Sequence, residues 1–86
     1  MTTNTDVQAI QEFLKGEVAR HTGLQADHID PNDPLYDLGV DSISVVDLVA
    51  AVSQRYEKAL SPNDFYENPT IGGLANAIYR NMNQLP

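Results

Sequence analysis

Between positions 42 and 56 the chain places Ile43, Val45, Val46, Leu48, Val49, Val52 and Tyr56, with Ala50 and Ala51 among them. Apolar residues recurring at three and four positions mark a helix. Five of them (Ile43, Val45, Val46, Val49 and Val52) are β-branched, a poor choice for intrinsic helicity, so tertiary packing must hold this helix in place. The stripe is also wider than one face needs. A helix that is apolar nearly all round either sits at the centre of its bundle or offers part of its surface to something else. A central core helix accounts for most of the stripe, and Ile43 and Val46, near its start, are expected to be partly exposed.

What leads into this helix narrows the reading further. Asp41 suits the N-cap, because its carboxylate can accept the free amides of a first helical turn. Ser42 then stands at the helix start on a side chain too short to hide. The unsatisfied N–H groups and the positive end of the macrodipole favour an anion there, so a phosphate joined to Ser42 would sit in a favourable field. Gly39 supplies the backbone freedom for a tight approach. From the residues alone, an anion-bearing serine and a plain capping pair both remain open.

The other segments predict an all-α fold: a four-helix bundle with a short third helix and a long loop between helices one and two. Val7, Ile10, Leu14 and Val18, with Phe13 beside them, trace a first helix that Thr5 or Asp6 can cap and Gly23 can end. Residues 24–40 read as a loop, because Pro31, Pro34, Gly39 and the aspartates at 27, 30, 33 and 37 defeat helix and strand alike. A loop this long needs anchoring, and Leu24, Ile29, Leu35, Tyr36 and Leu38 are the expected pins. Ser61 and Pro62 open a short third helix carrying Phe65 as a core plug. Thr70 caps a fourth, traced by Ile71, Leu74, Ile78 and Met82 and running to about Asn81.

Composition removes several function classes. With 86 residues the chain forms one domain, residues 1–86 with 1–5 as a flexible tail, and buries about 60–65% of its unfolded surface. That leaves no room for an ordinary internal cleft. The net charge of −7 argues against nucleic acid and anionic membranes and for partners with basic patches. There is no cysteine, so disulfides and thiolate metal sites are excluded and any thioester needs a thiol from a cofactor. The acidic loop fails as an EF-hand: counting from Asp30, a proline falls at the fifth position and Leu35 where glycine is required. His21 and His28 have no ligand partners at useful spacing and read as surface residues. No metal is expected. The polar N-terminus is no signal peptide, and no run approaches the ~20 apolar residues of a membrane span, so a cytoplasmic monomer is expected.

Leu38-Gly39-Val40-Asp41-Ser42-Ile43, halfway along an acidic helical chain of this size, resembles the acyl carrier protein family, over roughly residues 7–82. In that family the serine of the Asp-Ser pair carries 4′-phosphopantetheine, which the resemblance assigns to Ser42. Phe65-Tyr66-Glu67-Asn68-Pro69-Thr70-Ile71 is similar to the Phe-x-x-x-Pro-Thr-Ile segment of carriers in polyketide and nonribosomal peptide pathways. Peptidyl carriers typically have Gly-Gly before the Asp/His-Ser pair, where this chain has Gly39-Val40, which tips the resemblance towards the polyketide type. The implied function is to carry acyl intermediates as thioesters on the arm, loaded from coenzyme A by a phosphopantetheinyl transferase. The implied partners are a ketosynthase, an acyltransferase or other biosynthetic enzymes, as in antibiotic biosynthesis. Docking is expected through Asp41, Ile43, Val46 and Asp47. Ser44 and Ser53 stand where the family often has acids, which weakens docking through helix-two charge or shares it with the acidic loop.

Other classes compete with this reading. A peptidyl carrier and a non-covalent helical interaction module remain as alternatives. An enzyme with Ser42 as nucleophile fits poorly: the Gly-x-Ser-x-Gly elbow is absent, and nothing brings His21 or His28 to Ser42 as a base.

Overall fold

A computed structural model describes residues 7–56, 60 and 62–83. Four helices appear: α1 (Val7–Thr22), α2 (Ser42–Tyr56), α3 (Pro62–Glu67) and α4 (Ile71–Asn83). The expected caps at Thr5, Asp6 and Ser61 lie outside the described residues. Helix α4 runs two residues beyond its expected end at Asn81.

The core is built from aliphatic faces closed by one aromatic ring. Ile10, Leu14 and Val18 of α1 meet Ile71, Leu74, Ala75 and Ile78 of α4, while Val45, Leu48 and Val52 of α2 and Phe65 of α3 complete the cluster. Helix α1 packs most extensively on α4 and also touches α2, which lies against α1 and α3. Helix α2 is therefore not the hub that its stripe suggests. Its breadth has the other origin: Ile43 and Val46 are 74% and 60% exposed. Val49 is half-buried against the core.

Helix α1 ends where Gly23, at φ 81°, turns the chain left-handed and its amide bonds the Ala19 carbonyl at 2.9 Å. The long loop then departs from the expectation of an unstructured run. It contains two 3₁₀ turns, Ala26–His28 and Leu35–Leu38, the second opening directly after Pro34. Pieces of three or four residues suit this tighter helix, which the prolines do not prevent. Of the expected pins, Ile29 and Leu35 are buried and Leu38 is half-buried. Leu24 and Tyr36 are not pins, being 42% and 50% exposed. In a 3₁₀ turn residues i and i+3 share a face, so Leu35 and Leu38 point inward together and Tyr36 falls outside. Val40, outside the expected set of pins, is buried as well.

Backbone bonds also tie the loop down. The Leu35 amide donates to the Pro69 carbonyl at 2.7 Å, and the Gly72 amide to the Pro31 carbonyl at 2.9 Å. An isolated antiparallel bridge joins Pro34 to Thr70. The loop is thereby strapped to the junction between α3 and α4. That junction is itself ordered by Thr70, whose hydroxyl accepts the Gly73 amide at 3.0 Å as an N-cap. Among the described residues no helix is long and apolar enough to cross a membrane.

Candidate functional site: the start of the second helix

The chain enters α2 through a turn that few residue types allow. Gly39 closes the second 3₁₀ turn at φ 98°, and its amide bonds the Tyr36 carbonyl at 3.2 Å. An L side chain at that φ would be strained. Val40 then drops into the core, and so does Val45. They occupy the positions immediately before the N-cap and four residues into the helix, where paired hydrophobes fix the angle at which a chain enters a helix. A buried residue directly ahead of a helix cap is a signal that the sequence carries.

Asp41 is the N-cap. Its Oδ1 accepts the Ser44 amide at 2.9 Å, and its carbonyl accepts the Val45 amide at 2.9 Å. The Ser44 amide, foremost, holds the Asp41 carboxyl below the usual carboxylate range, because that bond favours the charged form. Capping thus explains Asp41 without any partner, although the side chain is exposed.

Ser42 is the first residue of α2 and is exposed, so its hydroxyl is open to solvent. The Asp41 carboxylate occupies the Ser44 amide, which leaves the field of the helix end, rather than that donor, for an anion on Ser42. An exposed primary alcohol at this position fits a group that is joined through the hydroxyl and extends away from the protein.

Of the four expected docking residues, Asp41, Ile43, Val46 and Asp47 are all exposed. Ile43, Val46, Asp47, Ala50 and Gln54 form one exposed stripe at helical spacing. The stripe opens beside Ser42 with two aliphatic side chains and a carboxylate. Asp47 has company that the sequence did not reveal: His21 Nδ1, at the end of α1, lies 4.0 Å from its Oδ2. The two are far apart in sequence, and only the packing of α1 on α2 brings them together. No group of three or more potential metal ligands clusters among the described residues.

The family described as the phosphopantetheine attachment site matches residues 12–78, most of the chain. The chain belongs to that family. Its covalent cofactor is 4′-phosphopantetheine. This carrier domain is 35% identical over 71 residues to nonribosomal peptide synthetase 2 of Gibberella zeae, covering 83% of this chain and 2% of that protein. It is 34% identical over 73 residues to a non-reducing polyketide synthase of Pseudevernia furfuracea, covering 85% of this chain and 3% of that protein. The chain thus spans only a few per cent of these curated relatives. Among solved structures, the HMG-ACPI domain of the CurA module from Lyngbya majuscula superposes with a TM-score of 0.85 at 25% identity. That match covers 98% of this chain and 86% of the other. The likenesses span both polyketide and nonribosomal peptide carriers.

Proposed function

We propose that Ser42 is the attachment point, and that residues 1–86 act as a single acyl carrier domain of polyketide type delivering thioester-bound intermediates to partner enzymes. The observation that carries this reading is the exposed hydroxyl of Ser42 at the first position of a helix, inside Leu38-Gly39-Val40-Asp41-Ser42, within the span that matches the family.

In the loading step the Ser42 oxygen forms a bond to phosphorus and the phosphoanhydride bond of coenzyme A breaks. Adenosine bisphosphate leaves, and the transferase takes the hydroxyl proton. The attached group supplies a terminal thiol for thioester formation, which a chain without cysteine cannot supply itself. The protein's own residues do the rest by position. Asp41 ends the loop and starts the helix, Gly39 and Val40 aim the chain into it, and Ile43, Val46 and Asp47 offer a small surface beside the serine. Tethering at one point raises the effective concentration of cargo at each partner's active site. No catalytic group is required of the carrier.

Gly39-Val40 before the Asp-Ser pair supports the polyketide type, and relatives such as the Pseudevernia synthase agree with it. The Gibberella synthetase keeps a peptidyl carrier as the second reading. Incubation of the 86-residue chain with coenzyme A and a permissive transferase should add the mass of one phosphopantetheinyl group. Ser42→Ala should abolish that gain while its helical circular dichroism stays unchanged. Modification persisting in that variant refutes the assignment, and the mass of cargo on protein from the native host separates acyl from peptidyl.

A further inference from the structure

Away from the serine, α1 and α2 leave an open groove of about 290 Å³ lined by Phe13, Glu17, Arg20, Ala51, Gln54 and Arg55. It lies towards the far end of α2, since positions 42 and 55 are separated by about 20 Å along a helix axis at ~1.5 Å per residue. Its charge is opposite to that of the molecule. The chain has five Lys and Arg against twelve Asp and Glu, and two of those five cations line this one groove.

The two arginines are engaged differently. Arg20 is turned onto Glu17, with Nη1 3.3 Å from both carboxylate oxygens. Arg55 has no carboxylate partner among the described residues. Its guanidinium lies 5.9 Å from the centroid of Phe13 and 5.8 Å from that of Tyr56, two rings that meet edge to face at 5.6 Å. A cation within about 6 Å of a ring centroid is attracted to the ring, which steadies the Arg55 head against Phe13 and Tyr56. A cation already fixed in place loses less freedom on binding than a mobile one. With Glu17 offset by Arg20, Arg55 is the cation of the groove that has no carboxylate partner among the described residues.

The size of the groove selects the occupant. Sites that engulf small molecules run from roughly 300 to 1,000 Å³ and bury most of the ligand. An open groove at the bottom of that range seats one or two side chains instead. We propose that it binds an acidic peptide segment of a partner protein, with a carboxylate on Arg55 and a neighbouring apolar side chain against Phe13 and Ala51. The proposal stands apart from the attachment chemistry, because it uses the other end of α2.

The test is an amide-resolved NMR titration of the full chain with a blocked peptide alternating glutamate and leucine. A second peptide with glutamine in place of glutamate serves as the control, and glutarate as the small-anion probe. Binding should shift the amides of Phe13, Ala51 and Gln54, weaken with salt, and be unchanged in Ser42→Ala. Arg55→Gln, at an exposed position, should keep the fold and weaken binding by about tenfold, the size of one lost charge-assisted contact. No shift at these amides, or equal binding by Arg55→Gln, overturns the proposal. So does equal binding of the glutamine peptide. Glutarate binding as tightly as the acidic peptide would likewise overturn it, marking a site for small anions.

Discussion

On α2, Val45 is buried while Val46, its neighbour, stands in water; Leu48 and Val52 are buried while Ile43 is the most exposed of the large hydrophobic residues described. The residue types on the two sides are nearly the same, and the helix they belong to is one. Leaving a Val or Ile side chain in water forgoes roughly 1.5–3 kcal/mol of burial, so stability gives no reason for that placement. Single exposed hydrophobes are ordinary on protein surfaces. The exposed pair is set apart by its position beside Ser42, flanked by two carboxylates. One side of the helix holds the bundle together, and the other is available to partners. In the proposed docking role, acids there would speed encounter with a basic surface, while the apolar pair would set how long a complex lasts.

That contrast can be broken by mutation, and the largest effect is expected on the buried side. Leu48→Ala should destabilise the fold by ~2–5 kcal/mol, a large part of what a small domain possesses. An unchanged denaturation midpoint would mean that the inward side of α2 is not holding the bundle. On the exposed side Asp47→Lys should leave the fold intact, slow phosphopantetheinyl transfer and flatten its salt dependence. If rate and salt dependence match the parent, the next candidate is the acidic loop over 27–37.

Val46→Ala sharpens the comparison from the other direction. An exposed helical position should tolerate it within about 0.5 kcal/mol, while turnover with a partner enzyme slows. A clear loss of stability in urea would show that Val46 is part of the core after all. The smallest effect concerns Asp41. Its folded carboxyl titrates below the ordinary value, so its contribution is complete above the unfolded value and is lost as the pH falls through the folded one. Asparagine caps equally well but does not titrate there. The difference in denaturation midpoint between parent and Asp41→Asn should therefore hold steady near neutrality and change only in acid. A constant difference down to the lowest pH would remove the Ser44 amide as the cause.

Much of this was legible in the residues themselves. Helical spacing located α1, α2 and α4 because each must bury a continuous apolar face, and caps and prolines marked the starts at Asp41, Pro62 and Thr70 because those effects are local. The placement of Ser42 at a helix start needed nothing beyond Asp41 and the stripe behind it. What depends on distant parts of the chain was not legible. The loop's order rests on amides of Leu35 and Gly72 reaching the carbonyls of Pro69 and Pro31, bonds between backbone groups that carry no side-chain signature. The exposure of Tyr36, the His21–Asp47 approach and the Arg55 groove all follow from how elements meet. The hub, too, is α1 rather than α2. A stripe records which residues avoid water or tolerate it, and says nothing about which neighbour covers them; only the packing of α1 on α4, and of α2 against one side of that pair, decided which hydrophobes were left outside.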